Sequence, residues 1–342
     1  MLKPTFMVKT WHSGIFILVL LLILCCQHPQ TDSSKIHSDL PQITLLSDQI
    51  KINPDASELW FARGRAFYAL GSYEAAITDL NKALELDSSR PDTWHLLADV
   101  YLDYYQSRPA LQTMEKASKL FPENRGTLLK LAEFELILKR YSEAFQTLNK
   151  IEAIRPNDPE ALFMKGMVAK ESGDTAAAIT YFQHATAQDP YIIDAWINLG
   201  QLMTTVDTSE AVRYFNAAES IEPENPHVLH AKARYLTDIG RNTEAMKTYR
   251  DLISHDPYYA DAYFNMGLLF LQIDSLNKAK QHFELTVKTE PSYARAYYYL
   301  GLLSELSGLN KDALRQYEQS LRLDPDDEDS RRAILRVQEM IE

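Results

Sequence analysis

Cysteine is almost missing from this chain. Of its 342 residues only Cys25 and Cys26 carry a thiol, which excludes a disulfide framework or a thiol nucleophile from residues 27–342. Other parts of an enzyme are missing too: the chain has no glycine-rich phosphate loop, no Cys/His set at metal-ligand spacing and no nucleophile elbow. No catalytic activity and no cofactor are therefore expected. His227 and His230 lie three apart on one predicted helix without a third ligand in sight, so they are read as surface histidines. The acidic run at residues 324–329, DPDDED, lacks the glycine and the terminal glutamate of a calcium loop and is read as a solvated linker. Positive charge is also scarce. Lysine and arginine number 35 against 47 acids, a formal net charge of −12. Phosphate-backbone binding needs clustered cations, so nucleic acid is excluded as an expected partner.

What the chain does have is a period. The proline series Pro54, Pro122, Pro156, Pro190, Pro223, Pro257, Pro291, Pro325, with Ser88 standing in once, steps by 34 residues except for one step of 33 between Pro190 and Pro223. Twelve residues before each of these positions, from Ser88 on, stands an alanine: Ala76, Ala110, Ala144, Ala178, Ala211, Ala245, Ala279, Ala313. A third series is always small: Gly64, Ala98, Ala132, Gly166, Gly200, Ala233, Gly267, Gly301. These series place eight repeats at residues 57–90, 91–124, 125–158, 159–192, 193–225, 226–259, 260–293 and 294–327.

Within each repeat, apolar residues at three- and four-residue spacing predict two amphipathic helices. Small residues at positions eight and twenty let the two approach closely. Proline at position thirty-two has no amide to donate and stops the second helix. One such hairpin cannot cover its own apolar face, so neighbours must stack. Residues 41–56 read as the second helix of an incomplete repeat, with Leu46 at position twenty-four, and serve as an N-terminal cap. Residues 328–342 carry Ile334, Val337 and Ile341 on one side, as a C-terminal capping helix should. In repeat two, Pro109 is tolerated in a first helical turn and is read as starting the second helix. In repeat five, Asp207 with Glu210 three residues on fits a capping box, and the missing residue is read as a local change of superhelical pitch.

These positions resemble the tetratricopeptide repeat over residues 57–327. The family's bulky fourth position appears as Trp60, Trp94, Leu128, Leu162, Trp196, Leu229, Tyr263 and Tyr297, and its large twenty-fourth as Leu80, Met114, Leu148, Phe182, Phe215, Tyr249, Phe283 and Tyr317. The resemblance implies an all-α, right-handed α-solenoid of about eight helix-turn-helix repeats, used as a platform for binding proteins. It also implies that first helices line a concave face through positions two, five, nine and twelve. On that basis Phe61, Phe163, Ile197, Phe264, Leu268, Tyr298 and Leu302 are the expected anchors for a peptide or helix of another protein. Packing between adjacent repeats is the competing reading for each of them. Chaperone-binding members pair a basic fifth position with an asparagine at the ninth; no repeat here has that pair.

The N-terminal residues form a leader. Lys3 and Lys9 precede an uncharged stretch whose apolar core is residues 15–24, which reads as a signal peptide of residues 1–25. Residues 26–40 are a polar tether. A cysteine at the end of the apolar core resembles the lipobox of bacterial lipoproteins, which implies lipidation of Cys26, or of Cys25. The alternative is an uncleaved signal anchor over residues 11–26. Either reading places the repeats outside the inner membrane. The expected function is a non-enzymatic scaffold or adaptor of the cell envelope. Polysaccharide export with direct glycan binding, and a self-associating structural scaffold, are the two alternatives.

Overall fold

The computed structural model describes residues 40–341, and among them every regular element is an α-helix. The expected leader, the expected lipidation site at Cys25 or Cys26 and most of the expected tether lie outside the described residues. The helices fall into two compact bodies, residues 40–138 and 139–341.

The first body begins with α1 (Pro41–Ile52), followed by α2 (Ser57–Ala69) and α3 (Tyr73–Leu86) of repeat one. Repeat two supplies α4 (Pro91–Asp103) and α5 (Ser107–Leu120), and α6 (Arg125–Ile137) closes the body. The second body runs from α7 (Tyr141–Ile154) through α8 (Pro159–Glu171), α9 (Thr175–Gln188), α10 (Ile193–Val206) and α11 (Thr208–Ile221). It continues with α12 (Pro226–Asp238), α13 (Asn242–His255), α14 (Ala260–Gln272) and α15 (Leu276–Thr289). Repeat eight provides α16 (Ala294–Leu306) and α17 (Asn310–Leu323), and α18 (Glu328–Ile341) ends the body. In each body a first helix packs on its own second helix, which packs on the next first helix. This is the expected all-α repeat architecture.

The small and large positions of the repeat are one device. A Cβ added to Gly166, Gly200 or Gly267 would sit 2.6 Å from the ring of Phe182, Phe215 or Phe283, respectively, so glycine there is what admits the ring. Each of these rings is at most 1% exposed. Burying one contributes about 1.5–3 kcal/mol. The bulky fourth position has a second role. The indole N–H groups of Trp60, Trp94 and Trp196 donate to the carbonyls of Pro54, Ser88 and Pro190 at 2.8, 3.0 and 2.9 Å, and the Tyr263 hydroxyl donates to Pro257 at 3.3 Å. Position four therefore satisfies the carbonyl just beyond the preceding second helix, where the helix ladder has ended.

Turns inside seven of the eight repeats use a left-handed residue at position fifteen: Gly71, Tyr105, Lys139, Gly173, Gly240, Asp274 and Gly308. Repeat five lacks it. Its one-residue deletion falls at this turn, where Asp207 (φ −148°) is at once the C-cap of α10 and the N-cap of α11. The Asp207 carboxylate accepts from the amides of Ser209 and Glu210 at 3.0 and 3.3 Å, which is one half of the expected capping box. The other half does not form, because the Asp207 amide donates to the Met203 carbonyl and the Glu210 carboxylate is held by Arg213. Pro109 sits in the first turn of α5, where its missing N–H costs nothing.

The ends depart from expectation in detail. On α1, Ile43 and Ile50 are buried and Leu46 is only half-buried. On α18 the seam is Ala333 and Val337, whereas Ile341, one turn further along the same face at the end of the helix, is exposed. The acidic run at residues 324–329 feeds that cap: Asp327 accepts from the Ser330 hydroxyl at 2.5 Å, and Asp329 pairs with Arg332 at 2.6 Å.

Candidate partner-binding groove

First helices present positions two, five, nine and twelve together, as expected, and position thirteen beside them, because these recur on one side of a 3.6-residue period. In the second body this face opens into a cleft of about 530 Å³ between α10 and α12. Ile197, Phe215, Ala231 and Tyr235 form its apolar floor, and Asp194, Gln201, His227, His230, Arg234 and Asp238 give it polar walls. The cleft lies at the shortened repeat five and its successor, the same place in the chain where the left-handed turn residue is missing. Here α10 also packs directly on α12.

The charges along this face are not equivalent. Asp261 on α14 accepts from the Tyr293 hydroxyl at 2.7 Å. Glu305 on α16 is held bidentately by Arg336 at 2.7 and 2.8 Å and by the Tyr317 hydroxyl, and the arginine keeps its carboxyl below the usual range. By contrast, the exposed Arg234 guanidinium donates to no group among the described residues. His230 is half-buried among Tyr249, Tyr259 and His227, and its Nε2 lies 3.3 Å from Asn265 Nδ2 on α14. Burial of that ring lowers its pKa, so the imidazole is neutral at pH 7. Among the described residues no group of three metal-ligating side chains is assembled, around His227 and His230 or elsewhere.

The seven anchors expected from sequence divide by burial. Phe264 (3% exposed) and Ile197 (8%) are core residues. The Phe264 ring is enclosed by Phe283, Tyr293 and Tyr299 at centroid distances of 5.6, 4.9 and 5.7 Å, with the Arg295 guanidinium over it. Position five stands at the border between the open face and the seam: at repeat seven the neighbours close over Phe264, and at repeat five Ile197 keeps one edge on the cleft floor. Leu268, Tyr298, Leu302 and Phe163 stay partly exposed. Tyr298 leans on Tyr317, and Phe163 on Phe182. In the first body Phe61 is half-buried under the guanidinium groups of Arg65 and Arg90, at 5.8 and 5.5 Å.

The cleft walls are polar and so fall outside the set that apolar and aromatic positions on this face single out. The signal that would have found them is the one missing residue, read together with the polar ninth positions Gln201 and Arg234 beside it.

Comparison with known proteins places this architecture. A family described as TPR repeat matches residues 64–103, one described as Tetratricopeptide repeat matches 95–159 and 264–328, and another of the same description matches 159–191. Together they span more than half of the chain. The chain belongs to the tetratricopeptide repeat family. Two solved structures show the same fold. A tetratricopeptide repeat protein from Parabacteroides merdae superposes with a TM-score of 0.54 at 18% identity, covering 72% of this chain and 98% of that one. The APC/C hetero-tetramer Cut9–Hcn1 gives 0.53 at 15% identity, covering 88% and 60%.

Among curated relatives, Tetratricopeptide repeat protein 8 of Caenorhabditis elegans is 23% identical over 219 residues, 63% of this chain and 43% of that protein. Stress-induced-phosphoprotein 1 of the same organism is 23% identical over 273 residues, 79% of this chain and 74% of the relative. BBSome complex member BBS4 of Bos taurus is 21% identical over 279 residues, 81% and 53%. The chain thus spans less than half the length of the first of these and about half of the last.

Proposed function

We propose that this tetratricopeptide repeat protein is a non-enzymatic scaffold of the cell envelope. An N-terminal lipid holds it there, and it captures a segment of another protein on the open face of its first helices. The observation that carries the reading is the cleft between α10 and α12, continued by the partly exposed Leu268, Tyr298 and Leu302: polar groups and apolar surface lie side by side on a face that packing leaves open. Two relatives are named as members of multi-protein assemblies, the BBSome among them, which agrees with a role in holding proteins together. The leader, with Lys3 and Lys9, its apolar core and Cys26, supports the envelope and the lipid.

The test is crosslinking in cells from the full chain, followed by identification of what it captures, with Leu268→Asp as the variant. Leu268 is only partly buried, so a charge there should remove the partner and leave helix content unchanged. Equal capture by both proteins would move the site off this face. Phe264→Asp is the wrong probe, because a charge on a 3%-exposed ring unfolds the repeat before it reports on binding. For the anchor, metabolic labelling with an alkynyl fatty acid should label the wild type and not Cys26→Ser. Label that survives Cys26→Ser and vanishes in Cys25→Ser would move the lipid by one residue, and absence of label from the wild type would favour the signal anchor.

A further inference from the structure

Ninth positions form a row along the second body: Gln201 on α10, Arg234 on α12, Leu268 on α14 and Leu302 on α16. The row is polar at one end and apolar at the other, and the change falls between two adjacent helices. At the polar end stands a guanidinium with no acceptor among the described residues, in a protein whose formal charge is −12. Five N–H donors in a planar fork fit a carboxylate bidentately. Acids are plentiful nearby, yet none is used. Asp238 is one turn along α12, within the spacing at which helix ion pairs form, and pairs with no cation among the described residues; Asp194 stands across the cleft at the start of α10, where the helix amides already favour its charge. Both lie at helix ends, off the ninth-position row. A chain laid along the row meets Arg234 and passes between them.

Resting on the function proposed above, we propose that this row binds an amphipathic segment of a partner protein, seating a side-chain carboxylate on Arg234 and apolar side chains on Leu268 and Leu302. Gln201 extends the polar end with an amide able to pair with the partner's backbone. The apolar end supplies the affinity of buried surface, and the arginine fixes register and direction, because reversing the segment would lay its acid on leucine.

The experiment pans a displayed library of random 12-residue peptides, without free C-termini, on the full-length protein in detergent. The strongest binders are then titrated as C-terminally amidated synthetic peptides. Wild type should enrich sequences with one acidic residue at a fixed spacing from two apolar ones. Arg234→Glu, whose side chain is exposed and holds nothing in the fold, should keep its helix content. It should lose about tenfold in affinity for such a peptide and recover it when the peptide's acid is replaced by lysine. Enrichment of basic residues, or equal affinity in Arg234→Glu, overturns the charge assignment; if Leu268→Asp still weakens binding, the groove itself stands. Peptides insensitive to both Arg234→Glu and Leu268→Asp overturn this proposal and the groove reading together.

Discussion

Repeats four and five are built on the same interior and differ at their turns and on their open faces. Each puts a glycine against a phenylalanine ring, Gly166 against Phe182 and Gly200 against Phe215, at the same 2.6 Å. Each keeps an alanine fully buried at position twenty, Ala178 and Ala211. The turns diverge: Gly173 takes φ +88° in repeat four, while repeat five drops the residue and lets Asp207 cap on its own. Beside the divergent turn lies the cleft. The contrast shows which positions stacking constrains. The seam between two helices tolerates no change of shape, since its atoms are packed at crystal-like density. The turn needs only to reverse the chain, and several solutions do so.

The largest effects should fall where the two repeats agree. Phe182→Ala and Phe215→Ala should each cost about 3–5 kcal/mol by leaving a cavity beside a glycine that cannot fill it. Chemical denaturation would show similar losses in both. Only Phe215→Ala should also weaken partner capture, because that ring is part of the cleft floor. A large difference in stability between the two variants would break the equivalence of the interiors. A smaller effect should appear where the repeats differ. Gly173→Ala forces a Cβ into left-handed backbone and should cost about 1–2 kcal/mol. No Cβ contact lies within 4 Å at Gly173, so the cost measured there is backbone alone. A neutral Gly173→Ala would show that the turn relaxes as freely as that of repeat five.

The same division explains what could be read from sequence. Alanine at twenty, a small residue at eight and proline at thirty-two are type requirements of a packed seam, and they recur often enough to reveal the helices and their order. The proline series is visible because all second helices end two residues before it, as α9 does at Gln188 before Pro190. Position fifteen was harder to see. Only four of the seven left-handed residues are glycine, and Tyr105, Lys139 and Asp274 hide the rest. The groove was half legible. Sequence assigns Phe264 and Leu302 to one face, and only the positions of Tyr293, Tyr299 and Phe283 show that the first is enclosed. Burial at position five depends on the next repeat's side chains, which no single repeat records. Arg234 was visible as a letter, but that it pairs with none of the described residues is a three-dimensional fact.

The smallest effect concerns two histidines at position five of repeats two and six. Burial lowers the pKa of both His95 and His230 below the usual 6.5. His95 is fixed by Thr127 Oγ1 at 2.9 Å in the first body; His230 borders the cleft of the second body and Asn265. Around His230, Arg234 and His227 add to the lowering and Asp261 opposes it. For a base whose folded pKa is depressed, the unfolded chain takes up the proton first. The stabilisation is therefore complete above about pH 6.5 and is lost as pH falls through the folded value. Thermal unfolding followed from pH 7.5 to 5.5 should show a declining midpoint for the wild type and a shallower decline for His230→Gln and for His95→Gln. A partner seated on the row would bury the His230 ring further while its carboxylate, held on Arg234, opposes the lowering as Asp261 does, so the peptide changes the environment of His230 and leaves that of His95 as it was. With bound peptide, the pH dependence of the midpoint should therefore change in the wild type and in His95→Gln, and change less in His230→Gln. An equal change in all three proteins would mean that the peptide lies away from the sixth repeat.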